Sequence, residues 1–363
     1  MGWIGIADRN GGRFDAAGLG QAAGSDGGPR EVADLMPRGT LMLETSLTPE
    51  KKPQTLLAFR RHYPRPGSFS IQALPGGGII LIENQGDDIR HATLSHDPNS
   101  RATVLRLTYS WDAPGEWARL TLEQPELDLV QSVMLAPPRS VPQEDLRMLI
   151  TQPGQRDVHP EVDFIAVSSR IEPVGPMPGL TGSIRIATPH GEVFADRLKR
   201  GNLVKTAEGD QVPVLHTVRR TVPARGSFRP VLIRAPYFGL HRDIVVAPQQ
   251  RLVLSGTEVE YMFGKEAVLA PALHLVNGVS ARFAEGADLV TYHHLLLPGH
   301  EAIRAGGCPV ESLYIGRLRR KPKELATSVL AGTDRARLPE HAKPIWPVLK
   351  PFEAITLAMN RAA

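Results

Sequence analysis

Hydrophobic and polar residues alternate along short segments of the first third of the chain. Leu41 and Leu43, and likewise Phe69, Ile71 and Ala73, recur at the two-residue spacing of strands that bury one face. Clusters rich in Gly, Pro, Asp and Asn separate these segments. The pattern predicts strands at Thr40–Leu47, Thr55–Arg60, Ser68–Leu74, Gly78–Glu83, His91–His96, Thr103–Ser110 and Trp117–Glu123. Strands at such close spacing predict an antiparallel sandwich.

The segments on either side of this sandwich, which we place at residues 35–135, lack the alternation. Residues 1–34 are rich in Gly and polar residues and predict a flexible N-terminal arm. Residues 136–178 are rich in Pro, which fixes φ and removes backbone donors, so they predict a linker. A short helix at about Gln143–Ile150 is expected inside that linker.

The C-terminal segment, residues 317–363, has a different character. It starts with the basic run Arg317–Lys323, continues with helical composition at Glu324–Ala331, and ends with an apolar helical face at Pro351–Met359. We expect a short helical tail that packs on the body of the protein or binds a neighbouring subunit.

Composition and charge limit the classes of function that the protein can have. Residues 1–150 carry 15 basic and 18 acidic side chains although the whole chain has a net charge of +4, so the positive charge is concentrated later in the chain. The basic run lacks interleaved aromatic residues, and we therefore interpret it as a solvated face and predict no nucleic-acid partner. No stretch reaches the ~18 apolar residues that a transmembrane helix needs.

The single cysteine, Cys308, excludes an intrachain disulfide and any zinc site with paired cysteines. We expect a chain that folds in a reducing compartment, with no cofactor and no metal ion. The first residues, Met1–Ile6, fit neither a Sec signal nor the myristoylation pattern. We expect cytoplasmic synthesis, followed by non-classical export or incorporation in a particle.

Four sequence blocks between residues 179 and 316 carry a family resemblance. In chain order they are Gly179–Gly191, Leu198–Thr206, Arg242–Leu254 and Thr291–Glu301. They resemble the Hint family, the shared fold of hedgehog autoprocessing domains and inteins, and are most similar to its bacterial members. The resemblance implies an all-β domain and, in active members, self-cleavage at the start of the domain.

The resemblance also identifies the positions that carry this chemistry. A thiol at the first position attacks the preceding carbonyl, and a Thr-x-x-His block protonates the leaving amide. Gly179 stands at the first position and offers no nucleophile, while Thr181 would face the other side of a strand. Ala247 and Gln250 stand at the Thr and His positions, and neither side chain titrates near neutral pH. We interpret the domain as degenerate, with no catalytic residue.

A histidine-rich stretch near the end of this region superficially suggests metal-ligand spacing. His293, His294, His300 and Glu301 lie within nine positions. However, the Pro298-Gly299 pair breaks any helix between them, and adjacent histidines of a strand point to opposite faces. We interpret these residues as vestigial, hydrogen-bonded positions of the fold rather than as metal ligands.

A second resemblance covers about residues 35–135. The run Leu105–Asp112, preceded by Gly39–Glu44, is similar to the strand rhythm of the concanavalin A-like or laminin-G-like jelly roll. This resemblance implies a domain that binds glycans or proteins at a sheet face or rim.

Four residues of this region are candidates for such a ligand site. Tyr109, Trp111 and Trp117 could stack on a sugar ring, with Asp112 as a polar partner. The alternative is that both tryptophans lie in the core or cap a sheet edge.

The chain is thus predicted to be mainly β: a jelly-roll-like sandwich, an all-β Hint domain at residues 179–316 and a short helical tail. The first hypothesis is a non-catalytic binding or structural protein, such as a surface-attachment or spike component. It would bind a glycan or protein partner and act as a homo-oligomer or within a larger assembly. The alternative is autoprocessing by unorthodox residues. A glycan-processing enzyme would need two carboxylates roughly 5–10 Å apart, such as Glu44 and Glu123, or Asp112 and Glu116.

Overall fold

The computed structural model describes residues 2–20, 35–46, 52–62, 66–86, 88–97 and 104–362. The chain divides into two compact units, Met1–Val174 and Gly175–Ala363. Both are built mainly from antiparallel strands, as predicted. Within the described ranges no helix is long and apolar enough to cross a membrane.

In its described residues, the first unit is a sandwich of antiparallel sheets with one α-helix, α1 (Gln143–Thr151). Its strands are β1 (Trp3–Asp8), β2 (Gly11–Phe14), β3 (Leu35–Met36), β4 (Arg38–Thr45), β5 (Gln54–Arg61), β6 (Gly67–Ala73), β7 (Gly78–Gln85), β8 (Asp88–Ser95), β9 (Leu105–Asp112), β10 (Trp117–Gln124), β11 (Leu129–Leu135), β12 (Val141–Pro142), β13 (Arg156–Val158) and β14 (Val162–Ser168). A seven-stranded sheet has the order β11-β10-β9-β4-β14-β1-β2, and a five-stranded sheet has the order β13-β5-β6-β7-β8. The short strands β3 and β12 form a separate pair.

The two larger sheets bury apolar faces in one cluster. Leu41, Leu107 and Leu120 of the seven-stranded sheet pack with Leu57 and Leu81 of the five-stranded sheet. In β7 and β8 burial alternates with the predicted two-residue period, whereas nearly every residue of β4, β9 and β10 is buried. The predicted strands are all found, with ends shifted by up to three residues.

Two predicted strand ends, Leu47 and Thr103, lie outside the described residues.

The predicted flexible arm over residues 1–34 is wrong for its first part. Strand β1 pairs with both β2 and β14 and so belongs to the sandwich. Gly12 explains the error, because a Cβ at this position would come 1.9 Å from the carbonyl oxygen of Ile150. The glycine allows α1 to lie close to β2 and is not a sign of flexibility. Residues 21–34 lie outside the described residues.

The predicted linker over residues 136–178 is wrong for much of its length. Helix α1 agrees with the expected helix at Gln143–Ile150, but β14 is a strand of the sandwich, paired with β4 and β1. Most residues of β14 are buried, including Phe164 and Val167. A nearly continuous apolar run of this kind indicates a strand that is buried on both faces. The prolines on either side of β14 gave this segment the composition of a linker, and the strand was therefore not predicted.

The second unit contains two six-stranded antiparallel sheets and three helices, α2 (Thr257–Phe263), α3 (Pro322–Thr327) and α4 (Pro351–Ala362). Its strands are β15 (Leu180–Thr181), β16 (Arg185–Thr188), β17 (Gly191–Phe194), β18 (Leu203–Lys205), β19 (Gln211–Pro213), β20 (His216–Pro223), β21 (Val231–Ile233), β22 (Ile244–Val246), β23 (Arg251–Ser255), β24 (Ala267–Pro271), β25 (Ala281–Phe283), β26 (Leu289–Leu296), β27 (Ala302–Ala305) and β28 (Cys308–Glu311). The sheet orders are β20-β26-β15-β22-β21-β25 and β17-β16-β27-β28-β23-β24, and β18 pairs with β19.

The C-terminal helix belongs to the core of the second unit. Leu357 of α4 lies in one buried cluster with Val246 of one sheet and Val310 of the other. Of the two alternatives predicted for the tail, α4 therefore follows the first, because it packs on the body of the protein. The first helix of the tail, α3, ends at Thr327, before the predicted end at Ala331.

Truncation of Leu357 tests this docking. We expect Leu357→Ala to lower the free energy of unfolding by about 2–4 kcal/mol, because it removes buried methyl groups and leaves a cavity. Ile355 on the same helix is 48% exposed, and Ile355→Ala should change that free energy by less than about 0.5 kcal/mol. Urea unfolding followed by circular dichroism measures both values. Equal losses for the two variants would contradict the docking of α4 by its Leu357 face.

Candidate functional site

The start of the second unit lies at the centre of a sheet. Leu180 of β15 pairs with Val246 of β22 on one side and with His293 of β26 on the other. The carbonyl oxygen of Gly179 accepts a hydrogen bond from the Ala247 N–H at 2.8 Å. The fold therefore brings three of the four sequence blocks together around Gly179.

Gln250 fills the space beside Gly179. This side chain is 2% exposed, and its Nε2 donates to the carbonyl oxygens of Arg251 at 3.2 Å and Glu311 at 3.3 Å. A Cβ at position 179 would lie only 2.1 Å from Gln250 Oε1. No side chain can occupy position 179 unless the Gln250 carboxamide moves.

His294 shares a hydrogen-bond acceptor with Gln250. Its Nε2 lies 3.0 Å from the carbonyl oxygen of Glu311, so an imidazole and a carboxamide converge on one backbone oxygen. Burial lowers the pKa of His294. The ring is therefore neutral near pH 7, and Nε2 carries the proton that it donates. His293, the neighbouring residue of β26, points to the opposite face, and burial lowers its pKa as well.

The side chain of Glu311 organises a second set of contacts. His300 Nε2 lies 3.2 Å from Glu311 Oε2, and Arg251 Nη1 lies 3.4 Å from the same oxygen. His300 Nδ1 accepts a hydrogen bond from the Ile345 N–H at 3.0 Å, which fixes the orientation of the ring. No group of three His, Cys, Asp or Glu side chains that could hold a metal ion occurs in the described part of the chain.

Thr181 and Glu301 are held by other partners. The Thr181 hydroxyl donates to the carbonyl oxygen of Val245 at 2.7 Å. The Glu301 N–H donates to the hydroxyl of Ser312 at 3.0 Å. The eight predicted positions thus divide into a set that surrounds Gly179 and a set that supports neighbouring strands.

Glu311 is the residue of this site that sequence reasoning missed. It is buried, its backbone oxygen receives Gln250 and His294, and its carboxylate receives His300 and Arg251. No local motif marks Glu311, because its partners come from other segments of the chain. Gln250, Arg251 and His294 are distant in sequence, and His300 precedes the β27–β28 hairpin that contains Glu311. Only the order of strands in the sheets predicts the contact.

The four residues predicted to bind a sugar do not form one exposed ring. Tyr109 and Trp111 of β9 point into the sandwich and are 2% and 1% exposed. Asp112 and Trp117 form a cross-strand pair at the end of the β9–β10 hairpin. Asp112 Oδ1 accepts a hydrogen bond from the Gly115 N–H at 3.0 Å. The predicted stacking surface is therefore wrong, since two of its aromatic rings belong to the core.

Two of the carboxylates considered for glycan hydrolysis share one buried cation. Arg106 Nε lies 3.1 Å from Glu44 Oε2, and Arg106 Nη1 lies 3.6 Å from Glu123 Oε2. All three side chains are buried. The arrangement is an ion-pair network within the sheet rather than an acid and a base that face each other across a substrate.

A pocket lies within the sandwich, between residues of both sheets and α1. The pocket has a volume of about 60 Å³ and is partly open to solvent. Tyr109 and Trp111 line this pocket together with Phe59, Phe69 and Leu146. The two aromatic residues of β9 thus face a cavity, although they are not on the outer surface.

Residues 178–317 match the family model described as the Hint domain. This region is a Hint domain. The match confirms the resemblance drawn from the four sequence blocks, and its limits differ by one residue at each end from the predicted 179–316. No curated protein sequence matches the chain.

Solved structures resemble the chain in parts. The MchDnaB-1 intein is 17% identical over 37% of this chain and 98% of its own, with a TM-score of 0.24. The Ruminococcus gnavus IT-sialidase CBM40 bound to alpha2,6 sialyllactose is 10% identical over 38% of this chain and 79% of its own, with a TM-score of 0.26. Domains LG4-5 of the mouse laminin alpha1 chain are 11% identical over 79% of this chain and 74% of their own, with a TM-score of 0.22. Likeness at this level carries no argument about function.

Cys308 is the single thiol of the Hint domain. It lies in β28 and is fully buried, and its Sγ lies 3.4 Å from the carbonyl oxygen of Pro309. Burial raises the pKa of this thiol to about 12. Cys308 therefore stays protonated near neutral pH and lacks the thiolate that a nucleophile needs.

A double-mutant cycle tests the contact between Gly179 and Gln250 in the Hint domain. We expect Gly179→Ala to lower the free energy of unfolding by about 1–3 kcal/mol, because the added methyl group overlaps Gln250 Oε1. In the Gln250→Ala background, the same change should cost at least about 1 kcal/mol less, since the overlapping atom is gone. Urea unfolding of the four proteins gives the coupling energy. Additive effects of the two substitutions would contradict the contact.

Proposed function

We propose that this chain is a non-catalytic binding protein, in which the sandwich carries the ligand site and the Hint domain serves as a structural scaffold. The observation that supports the scaffold role is the contact between Gly179 and Gln250. A hydrogen occupies the place from which a thiol would attack the preceding carbonyl, and a carboxamide fills the space beside it.

The groups around this position also favour a structural role over proton transfer. Gln250 has no titrating nitrogen, and both its Nε2 and His294 Nε2 are directed to the carbonyl oxygen of Glu311. Ala247 contributes backbone groups: its N–H donates to the carbonyl oxygen of Gly179, and its carbonyl oxygen accepts from the Gln250 N–H at 3.0 Å. These contacts tie the segment that leads into β15 to the segment around position 250 and join β26 to β28, as a rigid β scaffold requires.

The proposed ligand site is the pocket of the sandwich, since this pocket is partly open to solvent and has aromatic side chains in its walls. The partner in this proposal is a glycan or a protein that presents a suitable group. We propose surface attachment, or a place in a particle or larger assembly, as the setting of this binding.

Intact mass measures whether the chain cuts itself. We expect one full-length species of 39.6 kDa after prolonged incubation with a thiol at pH 7–8, because no group near the Pro178-Gly179 peptide can form the thioester. A fragment that begins at Gly179 would contradict the proposed non-catalytic role. If such a fragment appears, Thr181→Val and Cys308→Ala tell which remaining side chain attacks.

A glycan array with native mass spectrometry tests the binding role. We expect the full chain to retain at least one neutral glycan or a protein ligand, or to assemble with further copies of itself. Trp117→Ala serves as a control because Trp117 does not line the pocket, and it should leave glycan retention unchanged. A strict monomer that retains no ligand on the array or from a panel of proteins would contradict the binding role.

A further inference from the structure

The pocket of the sandwich has one wall of ordered aromatic rings. The ring centroids of Phe69 and Tyr109 are 5.6 Å apart, and those of Tyr109 and Trp111 are 5.8 Å apart. Trp111 Nε1 donates to the carbonyl oxygen of Met36 at 3.1 Å, which fixes the indole. Gly39 makes room for this ring, because a Cβ there would lie 2.5 Å from Trp111 Cζ2. The wall is therefore positioned before any ligand arrives, which lowers the entropic cost of binding.

A carboxyl group lies at one end of this wall. The Tyr109 hydroxyl donates to Glu83 Oε2 at 2.8 Å, and Gln85 Nε2 donates to Glu83 Oε1 at 2.8 Å. Arg90 Nη1 lies 3.8 Å from Glu83 Oε2. Burial raises the pKa of Glu83, while Tyr109 and Arg90 oppose that rise. Each carboxyl oxygen accepts one of these hydrogen bonds and has capacity for another.

A second charged pair lines the pocket from the side of α1. Arg61 of β5 forms an ion pair with Asp145 of α1, and both side chains are largely buried. Arg61 matches Asp145, while Arg90 and Arg139 together match Glu83 and Asp88, so the charges around the pocket balance. A charged ligand would bring an uncompensated charge into a desolvated site, which is costly, whereas a neutral ligand would not.

We propose that this pocket binds an uncharged molecule with a single six-membered ring, an apolar ring face and a hydroxyl group. The ring packs against the half-buried side chains of Phe69 and Val141, and the hydroxyl donates to the carboxyl group of Glu83. This inference rests on the proposed role of the sandwich as the binding unit, and it names the chemistry of the ligand.

Two kinds of molecule share this chemistry. A phenol presents an aromatic ring with one hydroxyl, and the terminal pyranose of a neutral glycan presents an apolar face of C–H groups with several hydroxyls. The probes are therefore 4-methylphenol, which is uncharged at pH 7 because phenols titrate near pH 10, and the methyl glycosides of glucose, galactose and mannose.

Binding of these probes to the full chain tests the inference directly. Saturation-transfer NMR detects contact, and titration gives the dissociation constant. We expect 4-methylphenol or at least one methyl glycoside to bind. The charged analogues of the probe that binds, 4-methylbenzoate and 4-methylbenzylamine for the phenol or the matching uronate and amino sugar for the glycoside, should bind at least about tenfold more weakly. No contact from any neutral probe, or equal binding of the charged analogues, overturns the proposal.

Variants with larger side chains in the pocket test whether the probe binds there. A Cβ at Gly67, which lines the pocket, would lie 3.2 Å from Arg61 Nη2, the end of a flexible side chain, so a strand-compatible Gly67→Val is tolerated. We expect this variant to weaken the neutral probe at least about tenfold, whereas Ser70→Val on the opposite face of the same strand leaves it unchanged. Val141→Phe fills the pocket from another side if Gly67→Val does not fold. Unchanged affinity in a folded filling variant overturns the assignment of the site.

The two proposals fail in different ways. Glycan or protein binding that survives Gly67→Val leaves the sandwich as a binding unit and overturns only the pocket as its site. Release of a fragment from Gly179 overturns the non-catalytic role, whereas the affinity of the pocket for neutral probes is measured independently of that cleavage.

Discussion

The approach of Gln250 to the backbone at Gly179 is the constraint on which the Hint domain depends. Position 179 immediately precedes β15, which pairs with β22 on one side and β26 on the other, so its surroundings are fixed by hydrogen bonds on both sides. A side chain there must displace Gln250, and the carboxamide cannot withdraw without breaking its hydrogen bonds to the carbonyl oxygens of Arg251 and Glu311. The residue identities at these two positions are therefore coupled by volume and by hydrogen bonding.

Glu311 extends this coupling to the other sheet of the Hint domain. Its backbone oxygen receives Gln250 and His294, while its carboxylate lies beside His300 and Arg251. Leaving any of these buried groups without a partner would cost on the order of 1–3 kcal/mol. The network thus connects β26, β28 and the segment around position 250 through contacts of His294 and His300.

The elements that sequence predicts well are those with a local signal. The strands of the sandwich core, helix α1 and the start of α4 follow from alternation, composition and Pro351. The errors share a physical cause, since glycine and proline have more than one structural use. Gly12 allows α1 to approach β2, and prolines flank the buried strand β14. Sequence placed Gly179, Ala247 and Gln250 at one site through a family resemblance, but Glu311 and the inward direction of Tyr109 depend on strand order and register, which no local pattern contains.

The pairing of glycine with glutamine at the centre of the Hint domain also shows how two positions share one buried space. Removal of a buried side chain at position 179 alone would leave a cavity, whose cost grows with its volume. A long carboxamide at position 250 fills that space and gains hydrogen bonds to backbone oxygens, so the loss in packing is offset within the same contact. A side chain at position 179 would then overlap Gln250 Oε1. This packing favours the proposed scaffold role, because a change of residue at position 179 or at position 250 alone is unfavourable.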